Sequence, residues 1–243
     1  MDLVVLGSEG GWPRAGRAAC GYLLRHEGFH VWLDAGTGTM ANLQRHVALA
    51  DVDAVVLSHR HFDHFVDVYP FVLARRYGDA PWPPVPLFAP PGLVAHAMQL
   101  EEELVSAFDV REVAPGEAFE VGPFAIETRP MRHPVPTLGL RLAAGGRALA
   151  YSADTGPTDD LVALAGGADA LLCEATWGDR EELAQPFHLL GREAGEHAAA
   201  AGTGRLILTH IWPERDRERT AAAAAAAFDG PVELAEEGMV VSL

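Results

Sequence analysis

Imidazole and carboxylate side chains are concentrated in one short segment, Ser58–His64, which reads SHRHFDH. The segment directly follows Val55–Leu57, a short apolar run typical of a strand buried on both faces. Imidazole nitrogens and carboxylate oxygens are ligands that Zn²⁺, Mn²⁺ and iron accept, and a turn that leaves a strand can aim alternate side chains into one pocket. The alternative is a polar loop with exposed histidines, which is disfavoured because burying four ionisable groups without partners is costly. We therefore expect a metal site that includes His59, His61, Asp63 and His64.

Further ionisable residues follow other apolar strands later in the chain. A metal ion needs three or four ligands, and the Ser58–His64 segment alone makes a poor cage. Taken singly, each of the later residues is more often an ordinary loop residue than a ligand. Together they lie at strand ends that we expect to share one edge of the sheet, where α/β folds bind ligands. These residues are His133 after the predicted strand Ile126–Met131, Asp154 after Leu149–Ser152, and His210 after Leu206–Thr209.

The elements that would position these residues alternate between strand and helix in the first third of the chain. The pattern turns to glycine-punctuated strands between Val110 and Ala150 and then alternates again. No linker is polar enough to mark a domain boundary. The sequence therefore predicts one domain, residues 1–243, with an α/β (α+β) fold of four layers, αββα, in which two mixed sheets pack face to face between outer helices. Predicted elements near the site are a strand at Ala19–Arg25 and helices at Thr39–Leu49, His64–Tyr77 and Gly191–Ala201.

The composition narrows the class of protein and the kind of partner. The chain has 243 residues, of which 49% are hydrophobic and 21% charged, close to the globular average. Its 34 acidic and 18 basic residues give a formal net charge of −16, which disfavours long nucleic acid as a partner. No apolar run is long enough for a transmembrane helix, and Met1–Gly7 is typical of a strand, so we expect a cytoplasmic protein. Cys20 and Cys173 are expected to be small buried hydrophobic residues.

The chain resembles the metallo-β-lactamase superfamily over nearly its whole length. The resemblance is carried, in order, by Asp34 within Leu33–Gly36, by Ser58–His64, and by His133, Asp154 and His210. It implies the αββα fold and a centre of two divalent ions, with zinc favoured and manganese or iron as alternatives. Asp34 would orient the ligands through hydrogen bonds. The ligand sets that the resemblance implies are His59, His61 and His133 on one ion and Asp63, His64 and His210 on the other, with Asp154 bridging.

Within that superfamily the chain looks like the phosphodiesterase branch, which includes tRNase Z and cyclic-nucleotide phosphodiesterases. This implies hydrolysis of a phosphodiester by a hydroxide held between two cations. Asp63 would help to orient that hydroxide. His188 would be the general acid for the leaving alkoxide, with Glu174 holding its tautomer and favouring its charge. The alternative is that His188 only begins the predicted helix Gly191–Ala201. The segments similar to that branch are Arg132–Arg141, Tyr151–Thr155, Glu174–Thr176, Phe187–Leu189, Glu193–Gly195 and Leu208–His210.

Departures from tRNase Z bear on the size of the substrate. The sequence lacks that family's Gly/Pro-rich flexible arm, and Ile211–Pro213 replaces the polar residues usual after its last histidine. A small phosphodiester therefore fits better, and Phe65–Tyr77 looks most like bacterial cyclic-AMP-type phosphodiesterases. The alternatives are hydrolysis of a lactone or sulfate ester, tRNA 3′-end processing, and a non-catalytic scaffold.

Several other features each have two interpretations. Arg132 and Arg141 would either contact phosphate or be solvated. The stretch Pro81–Leu100 would form either a lid over the site or the surface of a homodimer. Trp177 and Trp212 would either pack in the interior or line the substrate pocket.

Overall fold

The computed structural model describes residues 1–78 and 82–243, which form two seven-stranded sheets. The first sheet has an antiparallel half at one edge and parallel strands at the other. Its strands are β1 (Asp2–Gly7), β2 (Gly21–His26), β3 (Phe29–Ala35), β4 (Ala54–Val56), β5 (Val85–Ala89), β6 (Phe108–Glu112) and β14 (Val240–Ser242). They are arranged in the order β14-β1-β2-β3-β4-β5-β6.

The second sheet is also mixed. Its strands are β7 (Ala118–Val121), β8 (Phe124–Pro130), β9 (Leu138–Ala144), β10 (Arg147–Tyr151), β11 (Ala170–Glu174), β12 (Leu206–Thr209) and β13 (Val232–Leu234). The order is β13-β12-β11-β10-β9-β8-β7, with β7 to β10 antiparallel and β10 to β13 parallel. The predicted pair of mixed sheets is therefore confirmed.

Helices cover the outer face of each sheet. They are α1 (Thr39–Leu43), α2 (Phe62–Phe65), α3 (Val68–Tyr77), α4 (Leu93–Ala97), α5 (Asp159–Ala165), α6 (Gly191–Ala201) and α7 (Arg217–Ala225), with short 3₁₀ turns at Leu49–Asp51, Glu102–Ser106 and Glu181–Leu183. One apolar cluster lies between the sheets, and the outer face of each sheet has one further cluster beneath its helices. Tyr22 and Tyr151 meet edge to face across the central cluster, with ring centroids 5.4 Å apart. These are the four layers that the sequence predicts.

The helix predicted over His64–Tyr77 is two helices. Asp67, at the junction, accepts a hydrogen bond from the Met40 backbone N–H at 2.8 Å, and its own N–H donates to the carbonyl of Ala35 at 2.8 Å. These bonds tie the junction to the end of β3 and to α1, so α2 is a separate turn and α3 starts anew at Val68. This break leaves α2 free to present the side chains of the SHRHFDH segment.

Other predicted bounds also change. The helix predicted over Thr39–Leu49 ends at Leu43, and the strand predicted at Ala19 begins at Gly21. Strands β13 and β14 have three residues each, and α7 is an alanine-rich helix without an apolar stripe, so periodicity did not predict them. The stretch Pro81–Leu100 contains β5 and α4, while Pro81 itself lies outside the described residues.

Two predictions from composition concern cysteine and the membrane. Cys20 and Cys173 are both free thiols with no exposed surface, as expected of small buried hydrophobic residues. Within residues 1–78 and 82–243, no helix has both the length and the apolar character that a membrane crossing requires.

Candidate metal centre

Four loops bring the predicted metal-ligating residues to one rim of the two sheets. The SHRHFDH segment follows β4, and the loops after β8, β10 and β12 contribute one residue each: His133, Asp154 and His210. Asp34 lies in β3 beneath them in the left-handed conformation, with φ of 53°. His210 also adopts a positive φ, 50°, at the point where the chain leaves β12. Backbone strain of this kind is concentrated where a fold holds side chains for a function.

One group of donors consists of His59, His61, His133 and Asp154. The Nε2 atoms of His59 and His133 lie 3.1 and 3.0 Å from Nδ1 of His61. Oδ2 of Asp154 lies 3.6 Å from Nε2 of His59 and 3.8 Å from Nε2 of His133. Ligands on a tetrahedral ion at about 2.0–2.2 Å are separated from one another by distances in this range.

The hydrogen bonds at the far side of each ring show why these nitrogens suit a cation. Nδ1 of His133 donates to the carbonyl of Phe187 at 3.1 Å, so its Nε2 carries a lone pair. Nδ1 of His59 lies 3.0 Å from Oγ of Ser58, and that hydroxyl already donates to Asp34, so Nε2 of His59 also carries a lone pair. Both lone pairs point at Nδ1 of His61, which can donate one proton at most. A cation between the three nitrogens would satisfy all of them.

A second group of donors consists of Asp63, His64, His210 and the other oxygen of Asp154. Asp154 Oδ1 lies 3.2 Å from Nε2 of His64 and 3.3 Å from Nε2 of His210. Asp63 Oδ2 lies 3.1 Å from Nε2 of His210 and 3.6 Å from Nε2 of His64. Nε2 of His64 and Oδ1 of Asp154 are buried and form no hydrogen bond within the described chain. Orphaned polar atoms that face one another are what a metal ion would bind.

Buried partners hold the rings of this second group. Nδ1 of His64 donates to Oδ2 of Asp34 at 2.8 Å, and Nδ1 of His210 donates to Oγ1 of Thr176 at 2.8 Å. Asp34 also accepts the Ser58 N–H at 2.7 Å and the Tyr151 hydroxyl at 2.8 Å. Asp34 therefore orients rings of both groups, one directly and one through Ser58. Such supporting bonds fix the tautomer of a ligating imidazole.

The protonation states agree with this chemistry. Burial lowers the pKa of His59, of His61 and of His133, which keeps these rings neutral. Burial alone would raise the pKa of Asp154, but the facing His210 and His64 outweigh it and hold that pKa well below its usual range. Neutral imidazole and ionised carboxylate are the forms that bind metals.

His64 has the opposite shift. Burial disfavours its charged form, yet the carboxylates of Asp154 and Asp63 raise its pKa well above the ordinary value. The second group therefore has an excess of negative charge that attracts a cation. Cys20 lies beside His64 and His210, but burial raises the pKa of its thiol, which stays protonated and is a poor ligand.

His188 and Glu174 form a hydrogen-bonded pair at the side of the centre. Nδ1 of His188 lies 2.8 Å from Oε1 of Glu174 and 4.0 Å from Oδ2 of Asp154. Glu174 is buried and is fixed by the backbone N–H groups of Thr155 and Thr176, at 2.8 and 3.0 Å. Burial disfavours the charged imidazole, but Glu174 outweighs it and raises the pKa of His188 to about 9. His188 precedes helix α6, which begins at Gly191.

Sequence reasoning missed several groups that complete the site. The backbone N–H of Gly11 donates to Oδ2 of Asp63 at 2.8 Å, and Thr176 supports His210. Trp177 and Trp212, for which the sequence left two interpretations open, both lie beside the site: the Trp177 ring centroid is 5.7 Å from that of His188 and 5.0 Å from that of Trp212. The Gly10–Gly11 pair after β1 was the one visible signal, because a glycine pair permits close approach of backbone.

Arg132 and Arg141, which would either contact phosphate or be solvated, occupy different settings. Arg132 is exposed next to His133. Arg141 donates to the carbonyls of Leu164 and Gly166 at 3.1 Å each, so its guanidinium is engaged at the end of α5.

Comparison with known proteins agrees with this geometry. Residues 30–211 match the beta-lactamase superfamily domain. An uncharacterized protein of Mycobacterium leprae is 39% identical over 250 residues, which cover 98% of this chain and 87% of that protein. Ribonuclease Z of Thermobifida fusca is 30% identical, covering 100% of this chain and 94% of the enzyme.

The probable metallo-hydrolase YhfI of Bacillus subtilis is similar in both sequence and structure. It is 29% identical over 249 residues, which cover 99% of each protein. Its crystal structure, described as a metallo-beta-lactamase fold protein, superposes with a TM-score of 0.91 at 28% identity and covers 99% of this chain and 98% of that one.

Proposed function

Because the chain belongs to the beta-lactamase superfamily and has the fold of its metallo-hydrolases, we propose that it is a binuclear metal-dependent phosphodiesterase of small phosphodiesters such as cyclic nucleotides. The observation that carries the proposal is Asp154. Its Oδ2 faces the first group of donors and its Oδ1 faces the second, while His188 lies 4.0 Å away at the side. One carboxylate shared by two groups of imidazoles favours a pair of ions.

The proposed ligands follow from this division. Asp154 lies between the two sets, and its two oxygens serve one set each. The mixture of imidazole and carboxylate suits zinc, with manganese or iron as alternatives. When bound, such ions polarise phosphoryl oxygens and lower the pKa of water. The proposed sets are His59, His61 and His133 for one ion and Asp63, His64 and His210 for the other.

The side chains of this protein would carry out the proton transfers. His188 is protonated at neutral pH because its pKa is about 9, and its Nδ1 is engaged by Glu174, so Nε2 is the atom that can donate to a leaving alkoxide. Glu174 holds the ring in that orientation. Asp63, which is held by Gly11 and His210, would orient the attacking water.

Charge supports a small substrate. The formal net charge of −16 repels a long polyanion, so a phosphodiester with few charges is favoured over RNA. A second candidate, a ribonuclease, is favoured by the 30% identity to ribonuclease Z of Thermobifida fusca. Cleavage of a precursor tRNA at rates above those for cyclic nucleotides would support that second candidate.

The extent and location of the protein are part of the same proposal. We take residues 1–243 as one hydrolase domain, because β14 pairs with β1 and joins both ends of the sequence to one sheet. We propose a cytoplasmic location, with which two unpaired cysteines are compatible.

The test uses bis-p-nitrophenyl phosphate and a panel of cyclic nucleotides with protein loaded with zinc, manganese or iron. The proposal expects turnover that chelator abolishes and that is lost in His61→Ala. Turnover of lactones or sulfate esters, with no turnover of phosphodiesters, would support the alternative of a lactone or sulfate-ester hydrolase in place of a phosphodiesterase. Absence of turnover with every metal would favour the non-catalytic scaffold.

A further inference from the structure

A cleft opens beside His61, one of the proposed metal ligands. It has a volume of about 240 Å³ and is lined by Arg60, His61, Phe62, His96 and Val135. A second cleft, of about 250 Å³, lies on the other side of Arg60, between Pro90–Leu93 and Pro136. We refer to the first cleft, which adjoins the proposed metal ligand His61, as the groove; Arg60 lines both clefts.

Phe62 gives the groove an aromatic wall. The side chain is 60% exposed although phenylalanine is usually buried. Its ring packs at 5.9 Å on that of Phe65, and Phe65 in turn lies 6.2 Å from the ring of His96. The contact with Phe65 covers part of the Phe62 ring, and most of the side chain stays open to solvent. Val135, from the loop after β8, adds an aliphatic surface to the same cleft.

Arg60 gives the groove a free set of hydrogen-bond donors. Many other arginines of this acidic chain are engaged, such as Arg14 with Glu9 and Arg147 with Asp169, at 2.9 and 2.7 Å. The Arg60 side chain is exposed and forms no ion pair with the residues that the structure describes. A guanidinium beside an open aromatic ring suits a planar ligand with acceptor atoms on its edge.

We propose that this groove binds the nucleobase of a nucleotide substrate, with the base stacked on Phe62 and its edge acceptors facing Arg60. The inference rests on the proposed phosphodiesterase function and adds the residues that would bind the base of a nucleotide substrate. It differs from a general anion site, because the aromatic ring contributes most where the ligand carries a base. Stacking of a base on an aromatic side chain changes affinity by about tenfold or more.

The test is calorimetric binding of adenosine 5′-monophosphate, guanosine 5′-monophosphate and ribose 5-phosphate to the zinc-loaded protein. We expect each nucleotide to bind about tenfold more tightly than ribose 5-phosphate. Phe62→Ala should remove this difference, Phe62→Trp should keep it, and Arg60→Gln should reduce it. Tyr77→Ala, which removes another exposed aromatic ring on α3, is the matched control and should leave the difference intact.

Equal affinities for the nucleotides and ribose 5-phosphate would overturn the inference, as would a difference that survives in Phe62→Ala. A second copy of the chain is the competing occupant of the groove, and sedimentation of the same variants tests it. If Phe62→Ala dissociates a dimer and leaves nucleotide affinity unchanged, the Phe62 ring is part of a homodimer interface. Binding needs no turnover, so the outcome is separate from that of the phosphodiesterase assay. A protein that hydrolyses bis-p-nitrophenyl phosphate but binds both ligands alike would retain the proposed function and lose this inference.

Discussion

Oδ2 of Asp34 and Nδ1 of His64 lie 2.8 Å apart, and both side chains are fully buried. The bond forces the other nitrogen of His64 to face the oxygen of Asp154 at 3.2 Å. Asp34 is held in turn by the Ser58 N–H and the Tyr151 hydroxyl, which come from different sheets. The packing of the two sheets therefore determines the direction in which a proposed metal ligand points.

Asp34→Asn should weaken metal binding by about 10–100-fold, because the carboxylate that orients His64 and, through Ser58, His59 is lost. Asparagine tolerates the left-handed conformation at this position, so the backbone is preserved. The measurement is zinc affinity by competition with a chromophoric chelator. Asp53→Asn, which changes a carboxylate that accepts the His30 N–H far from the site, is the control. Unchanged affinity in Asp34→Asn would contradict the orienting role.

His188→Ala should lower kcat by about 10²–10⁴ for substrates with an alkoxide leaving group. The loss should be much smaller for bis-p-nitrophenyl phosphate, because nitrophenolate leaves without help from an acid. The ratio of wild-type to variant kcat is measured for both substrates. A defect in folding would change both ratios alike, whereas loss of proton donation would change mainly the ratio for the alkoxide substrate. Equal losses on both substrates would indicate that His188 is only structural.

The pH profile tests the same group. A general acid must be protonated, and the pKa of His188 is raised to about 9 by Glu174. Activity on an alkoxide substrate should therefore persist at neutral pH and fall as the pH rises through that value. Glu174→Gln removes the charge that stabilises the imidazolium, so the fall should begin at lower pH. A basic limb that does not move in Glu174→Gln would rule out this coupling.

Glu9→Ala should destabilise the fold by roughly 3 kcal/mol, the lower end of the cost of breaking a buried ion pair, because two of its partners keep access to solvent. The Glu9 carboxylate is buried and contacts Arg14 at 2.9 Å, Arg17 at 3.5 Å and Arg217 at 3.8 Å. The measurement is the free energy of unfolding in urea. Glu236→Ala, at a half-exposed carboxylate, should cost less than about 1 kcal/mol. Similar values for both variants would contradict the burial argument.

Gly10→Ala should disturb His210 and reduce metal binding. A Cβ atom at Gly10 would lie 2.7 Å from the carbonyl oxygen of His210 and 2.9 Å from its Nδ1. Gly166→Ala is the matched control, since its Cβ would meet only an ordinary contact at 3.4 Å. We expect Gly10→Ala to bind less zinc than the wild type and Gly166→Ala to bind the same amount. Full zinc content in Gly10→Ala would show that the loop can move aside.

Much of the candidate site could be proposed from the sequence because its side chains have chemical signatures. His59 to His64, His133, Asp154 and His210 each follow an apolar strand, and parallel strands bring such residues to one edge. The supporting groups could not be predicted in the same way. The N–H of Gly11 and the carbonyl of Phe187 are backbone groups, which every residue carries, so only the folded chain reveals their role.

The fold was predictable to the same extent. Elements with a clear pattern, such as β12 at Leu206–Thr209 and α6 at Gly191–Ala201, begin and end where the pattern indicates. The break between α2 and α3 depends on hydrogen bonds from Asp67 to residues about thirty positions away in sequence, which local periodicity does not report. Tertiary contacts therefore determine where α2 ends and α3 begins.

The number of metal ions that each chain binds, measured by equilibrium dialysis and elemental analysis, directly tests whether two ions share Asp154. The proposed centre predicts two zinc ions per wild-type chain, one in His210→Ala, and loss of both in Asp154→Asn because that carboxylate serves both groups of donors. A wild-type chain that binds one ion or none, or an Asp154→Asn chain that still binds two, would contradict a centre of two ions joined by Asp154.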